Sequence, residues 1–323
     1  MLRSLAELTP APAPGAPPTA LRGVRTVRPL AHARRDFPGE AVTSGPAVPS
    51  AWCAAEVAGD ERKGRAVENT VLVTGATGVL GREVVARLRG AGVPVRALTR
   101  RTELPEDPGV AWFTGDLATG AGVDAAVAGV HTIVHCASDA RHFRQDIPAL
   151  RNLIAAARRA GVEHVVNISI VGVDRITYPY YAVKLEGERI LEASGLGWSN
   201  LRATQFPELL NTALGFLARL PVVLAPSGTG FQPVDQGEVA DRLVELALGG
   251  PAGRVPDLAG PQVHPATELA RSWLRAAGKR RPVLAVRIPG KVGAGFRAGV
   301  HTAPDRAVGR RTWEQYLAER VAR

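Results

Sequence analysis

Beyond Asn69, short apolar runs of strand length alternate with longer segments whose apolar positions recur every three or four residues. The first pattern predicts strands buried on both faces, and the second predicts helices with one apolar face. Strands are expected at 71–74, 94–98, 110–114, 132–136, 164–169 and 198–202. Helices are expected at 82–90, 122–128, 147–160 and 180–194, with Gly90, Gly92 and Gly161 at helix ends. This alternation implies a parallel sheet with helices on both faces and right-handed crossovers. After Thr204 the pattern loosens. Short strands are expected at 222–224, 231–234 and 282–288, and helices at 237–248, 266–277 and 312–320. No internal repeat is visible. The chain thus divides into residues 1–68, an α/β core over 69–206, and a small substrate lobe with late core elements over 207–323.

Residues 71–81 read Val-Leu-Val-Thr-Gly-Ala-Thr-Gly-Val-Leu-Gly. A strand enters a turn with glycines at 75, 78 and 81, and a helix follows. That context makes a three-glycine motif credible as a dinucleotide site. Gly75 permits the tight turn, Gly78 lets the main chain approach a pyrophosphate, and Gly81 lets helix pack closely on strand. The helix N-terminus then presents unpaired N–H groups and a positive dipole end to the phosphates.

The end of the second strand distinguishes the two nicotinamide cofactors. An NAD-selective site carries Asp or Glu there, about 20 residues on, for the ribose 2′-hydroxyl. This chain reads Leu98-Thr99-Arg100-Arg101. An arginine there suits a 2′-phosphate, so NADP(H) is expected over NAD(H), with Arg100 as the contact. Asp116, after the third strand, is placed either to accept from the adenine amino group or to cap the following helix.

Tyr180 and Lys184 form a Tyr-x-x-x-Lys pair on one face of an expected helix. An ammonium beside a phenol favours phenolate, so a depressed Tyr180 pKa and a general acid/base role are expected. Ser169 ends the fifth strand, and its hydroxyl is a candidate to hold a substrate carbonyl that Tyr180 protonates.

Composition changes this picture little. The net charge is +10, and the stretch from Arg271 onward carries thirteen Lys/Arg against three acids, an excess equal to the whole. That stretch lacks interleaved aromatics or a nucleic-acid-binding motif, so a solvated basic face is expected and no nucleic-acid partner. No apolar stretch is long enough to span a membrane, and no membrane partner is expected. Cys53 and Cys136 lie far apart with no metal-ligand spacing, so no metal and no disulfide framework are expected. Low cysteine use fits a cytoplasmic location. Residues 1–68 are rich in Pro, Ala and Arg without apolar period. They are expected to be a disordered tail or to precede a downstream start. Arg22 to Arg35 has the acid-poor composition of a targeting peptide but no apolar core for secretion. His135 and His164 are expected as packing residues inside strands, and Trp313 as the anchor of the last helix.

Several segments together resemble the short-chain dehydrogenase/reductase superfamily and, more narrowly, its atypical NmrA-like, NAD(P)H-binding branch. They are residues 74–81, Gly115-Asp116-Leu117, Ala160 through Val166, Ile168 through Val173, Tyr180 through Lys184, and Leu201 through Phe206. The resemblance is strong over 69–206 and looser beyond. It implies a Rossmann-like doubly wound parallel sheet with the cofactor at its C-terminal edge. It implies cofactor contacts from Thr74, Gly75, Thr77, Gly78, Val79, Leu80 and Gly81, and from Asp116 and Leu117. Ala137, in the loop 135–138, is implied as a further contact, with Gln205 and Phe206 near the nicotinamide. It assigns Tyr180 as proton donor, Lys184 to the nicotinamide ribose, and Ser169 to substrate polarisation. The segment from Ser169 to Tyr180 is short and holds Pro179, and the asparagine of many superfamily members has no clear match beyond Asn152. The function expected is NADP(H)-dependent hydride transfer to a carbonyl-like small molecule. Two alternatives stand beside it: a non-catalytic NADP(H) sensor that docks a protein partner, and a nucleotide-dependent epimerase or dehydratase.

Overall fold

The computed structural model describes residues 69–104, 107–139 and 142–320, so the expectations for 1–68 lie outside the described residues. The main sheet is built from β1 (Val71–Thr74), β2 (Val95–Thr99), β3 (Val110–Thr114), β4 (Thr132–His135), β5 (His164–Ile170) and β6 (Gly197–Ala203). Interleaved with them are α1 (Val79–Gly90), α2 (Val123–Val127), α3 (Asp146–Arg159) and α4 (Pro179–Glu192). The chain continues through α5 (Pro207–Leu217), β7 (Val223–Pro226), β8 (Gly230–Phe231), α6 (Gln236–Leu248), β9 (Gly253–Arg254) and β10 (His264–Pro265). It closes with α7 (Ala266–Ala276), β11 (Val283–Val286), α8 (Gly290–Arg297) and α9 (Trp313–Arg320).

The sheet order is β3-β2-β1-β4-β5-β6-β9, with every pair parallel. The doubly wound Rossmann-like expectation therefore holds. Successive strands are laid down on one side of β1 (β2, β3) and then on the other (β4, β5, β6), so the winding order switches between β1 and β4. A crevice opens outside their C-terminal ends, where such sheets bind ligands.

Alternation within each strand feeds two separate cores. Val71 and Val73 of β1, with Val134 and Val166, face α1 and α6 through Val84, Leu88, Val239 and Leu243. Leu72, Ile133 and Val165 point the other way, against Val123, Leu150, Leu153 and Leu191. Burial of each such side chain stabilises the fold by about 1.5–3 kcal/mol. One face is completed by α6, from late in the sequence, and the sheet edge by β9.

The lobe departs from expectation where side chains compete with strand pairing. The strand expected at 231–234 stops at Phe231, because the Gln232 N–H donates to the Gln205 side chain at 3.0 Å and Pro233 has no N–H. Helices α5 and α8 had no counterpart in the pattern. Both start beside proline, after Phe206 and Pro289 in extended conformation.

A buried ion pair sets the position of α4. Arg202 of β6 donates from Nε and Nη2 to both carboxylate oxygens of Glu188, at 2.8 and 2.6 Å, and from Nη1 to Asp174 at 3.0 Å. Glu188 is 3% exposed. The paired guanidinium holds its carboxyl below the usual carboxylate range against the opposing effect of burial. The clamp fixes the helix that carries Tyr180 and Lys184.

Candidate functional site

The turn from β1 into α1 is built for close main-chain approach. Gly75 has φ +67°, and a Cβ there would lie 2.8 Å from the main chain of Ala137. A Cβ on Gly81 would lie 2.1 Å from the carbonyl oxygen of Gly75. Gly78 caps α1 in extended conformation, and no side chain caps the helix. The first turn therefore offers its N–H groups to whatever occupies the crevice. This is the cradle a pyrophosphate requires, and it fits a dinucleotide.

In front of it lies a cleft of about 240 Å³. Gly75, Thr77 and Gly78 line one side, with Arg100, Asp116, Leu117 and Ala137 around them. Seven of the sequence-derived contacts thus converge. The Arg100 side chain is 71% exposed at the end of β2, its guanidinium 4.0 Å from the Asp139 carboxylate. Asp116 does not cap α2, whose N-cap is Gly122. Its carboxylate instead accepts from the Ala118 N–H at 2.9 Å and shapes the loop after β3. The Asn152 amide donates to the Leu117 and Ala118 carbonyls, at 2.8 and 3.1 Å, and holds that loop.

At the far rim, the Tyr180 hydroxyl lies 3.1 Å from Ser138 Oγ, and Ser138 donates to Asp146 Oδ2 at 2.6 Å. Phe143 packs edge-on against the Tyr180 ring. Burial, opposed by the Ser138 bond and reinforced by the Asp146 charge, raises the phenol above its ordinary range. The expected depression by Lys184 is therefore corrected: desolvation dominates here. Lys184 lines a small adjoining cavity with His135, Asn167 and Asp146. Its ammonium makes no hydrogen bond among the described residues, and burial lowers its pKa against the pull of Asp146 and Glu188. His135 beside it is held down to about 3 by burial and by the Lys184 charge, and its Nδ1 meets the Thr74 hydroxyl at 2.8 Å. His135 and Thr74 therefore brace the floor of the site. Burial pushes the Cys136 thiol up to about 12, so it stays protonated.

Five assigned side chains do not line the cleft: Val79 is exposed on α1, Leu80 packs into the α1/α6 core, and Ser169, Gln205 and Phe206 lie elsewhere. The Ser169 hydroxyl is buried near Glu188 and has no hydrogen-bond partner among the described residues. Gln205 crosslinks the lobe, donating to the His301 carbonyl at 2.9 Å and accepting from Gln232. Phe206 packs at the edge of the α1/α6 core. Conversely, the sequence reading placed the loop 135–138 at the cofactor without singling out Ser138, and it missed Asp146. Nothing local marks them, since one follows β4 and the other starts α3, and only the folded loop joins them.

This geometry defines a dinucleotide-binding protein of the short-chain dehydrogenase kind. Comparison with known proteins agrees. An NAD(P)H-binding family model matches residues 75–246, and the chain belongs to that family, within the atypical, NmrA-like branch of the short-chain dehydrogenases/reductases. The (4-alkanoyl-5-oxo-2,5-dihydrofuran-3-yl)methyl phosphate reductase of Streptomyces griseus is 32% identical over 215 residues, 65% of this chain and 74% of the relative. Quinone oxidoreductase 2 of Escherichia coli is 26% identical over 226 residues, covering 65% and 75%. The NADPH-dependent quinone oxidoreductase QOR2 of Escherichia coli, solved with NADPH, has a TM-score of 0.65 at 20% identity, over 77% of this chain and 99% of that one. The protein is an NAD(P)-dependent oxidoreductase. Among the described residues no helix is long and apolar enough to cross a membrane.

Proposed function

We propose that the protein is an NADP(H)-preferring reductase acting on a small carbonyl-like acceptor, with Tyr180 as proton donor. The bound cofactor supplies the hydride. Tyr180 supplies the proton: its raised pKa keeps the phenol protonated at neutral pH, so the donor form is the resting form. Hydride to the carbonyl carbon and a proton to its oxygen complete a two-electron reduction to the alcohol, leaving phenolate. Ser138, hydrogen-bonded to both Tyr180 and Asp146, is placed to return the proton. We assign substrate polarisation to Ser138 in place of Ser169, because Ser138 stands beside the phenol. Lys184 would stabilise the phenolate, and its uncommitted donors suit ribose hydroxyls. The NADP(H) preference rests on Arg100, which would gain a charge-assisted contact with a 2′-phosphate in place of its long contact to Asp139. The small-molecule chemistry and the protonated Cys136 thiol suit a reducing cytoplasm.

The single observation carrying this reading is the Tyr180–Ser138–Asp146 hydrogen-bonded chain at the rim of the cofactor cleft. Tyr180→Phe should retain NADPH affinity by calorimetry. It should lower NADPH consumption at least roughly 100-fold across a panel of aldehydes, ketones and quinones. Undiminished turnover would remove Tyr180 from the mechanism.

A further inference from the structure

Strands β7 and β11 form a two-stranded parallel sheet in the lobe, in the register Leu224↔Leu284 and Pro226↔Val286. One face, carrying Val223 and the partly buried Val283, packs toward the lobe core against Trp273 and Leu274 of α7. The other presents Leu224, Leu284 and Val286, which are 42%, 54% and 42% exposed. Beside it, Ile288 is 40% exposed.

The outer edge of β11 is open as well. Val223 donates to the Pro282 carbonyl and Ser227 to the Val286 carbonyl. In a parallel ladder this phase turns the N–H groups of Val283, Ala285 and Arg287 away from β7. They have no main-chain acceptor among the described residues. An exposed apolar edge strand is a template for another strand unless charge or cover blunts it.

The charge around this edge is of one sign. Arg219, Arg280 and Arg281 stand at one end of the strand pair, and Arg287 and Lys291 at the other. No acid occurs between Glu208 and Asp235 or between Glu268 and Asp305. None of these five cations has an ion-pair partner among the described residues; Arg219 stacks over Phe216. A second copy of this chain pairing edge to edge would set arginine against arginine, which costs affinity. Residues 1–68 also carry more Lys/Arg than Asp/Glu, which disfavours them as the occupant.

We propose that the free edge of β11 docks an extended, acidic segment of another protein. That segment would add a strand through the main chain of Val283, Ala285 and Arg287. Alternate apolar side chains would lie on Leu284 and Val286, and its carboxylates would meet the flanking arginines. The proposal is independent of the reductase chemistry, because none of these residues lines the cofactor cleft.

The test uses the full chain and a fluorescein-labelled peptide of five Val-Glu repeats, with five Val-Lys repeats as control, followed by fluorescence anisotropy. The Val-Glu peptide should bind at least tenfold more tightly than the Val-Lys peptide, and binding should weaken in high salt. Ala285→Pro, which removes an edge N–H and blocks pairing, should reduce affinity at least tenfold. The double variant Arg280→Glu/Arg281→Glu should do the same without touching the strand. NAD(P)H affinity measured on each variant separates this loss from loss of the fold, and the charge variant serves if Ala285→Pro does not fold. Equal binding of both peptides, or full binding to either folded variant, overturns the proposal. So does a concentration-dependent dimer by ultracentrifugation that either variant abolishes. So does capture by phosphatidylglycerol vesicles when the Val-Glu peptide fails to bind.

Discussion

In the proposed reaction, the groups that meet the pyrophosphate at one end of the cleft are main-chain N–H groups, and what they need lies in the run from Val71 to Gly81. At its proposed proton-donating end they are side chains. Ser138 follows β4, Asp146 opens α3, and Tyr180 and Lys184 ride on α4, which is held by Arg202 of β6. The first end tolerates change in side chains but not in backbone space. The second depends on the placement of elements far apart in sequence. A site can therefore be rigid in one half by local geometry and in the other only by packing.

The difference can be tested from its largest consequence downward. Glu188→Ala should destabilise the protein by up to about 3–5 kcal/mol in urea unfolding, because it leaves the mostly buried Arg202 guanidinium with Asp174 in place of a bidentate partner. A cost under about 1 kcal/mol would mean that α4 is held by apolar packing alone. Gly81→Ala should weaken NADPH binding roughly 100-fold or more, since its Cβ would meet the Gly75 carbonyl. Gly90→Ala, at the other end of the same helix, meets nothing within 4 Å and should leave binding unchanged. If both glycine variants bound alike, the main-chain cradle would not be the anchor.

Smaller effects probe the charges. His135 and His164 are held neutral in the fold, at about 3 and about 4, against an ordinary value of 6.5. The unfolded chain therefore takes up these protons first, and stability should fall as pH drops below about 6.5. The slope approaches roughly 1.4 kcal/mol per pH unit for each histidine. Glu188, ionised below its ordinary value of 4.5, adds stability that is present above that pH and is lost as pH falls through its lower folded value. Thermal melts from pH 7.5 to 5 should show the decline, and His135→Gln should reduce its slope. A flat profile would mean that the floor of the site is open to water. The smallest expected change belongs to Arg100→Ala, roughly tenfold weaker NADPH binding with NADH unaffected, read by calorimetry. Equal losses for both nucleotides would show that Arg100 does not read the 2′-phosphate.

The core was legible because each of its strands announces itself. Val71, Leu72 and Val73 are apolar on both sides, and the glycines that follow have one conformational use. Strands β1 and β3 lie where the pattern put them, and α1 begins three residues early because Gly78 caps it directly. The lobe was less legible. The strand at β8 is shortened by the Gln205–Gln232 bond, which no periodicity reveals. Trp313 does anchor α9, buried and donating to Ser272 at 2.8 Å.

The sequence alone determined the parallel sheet, the glycine turn and its place at the first crossover, because these rest on local apolar periodicity and on backbone freedom at single residues. Tertiary structure alone decided which hydroxyl stands beside Tyr180. It buried Ser169, brought Ser138 and Asp146 to the phenol, and raised the phenol pKa instead of lowering it. The reason is physical: hydrogen bonds and desolvation depend on distances of a few ångströms between segments, and spacing along the chain does not encode those distances.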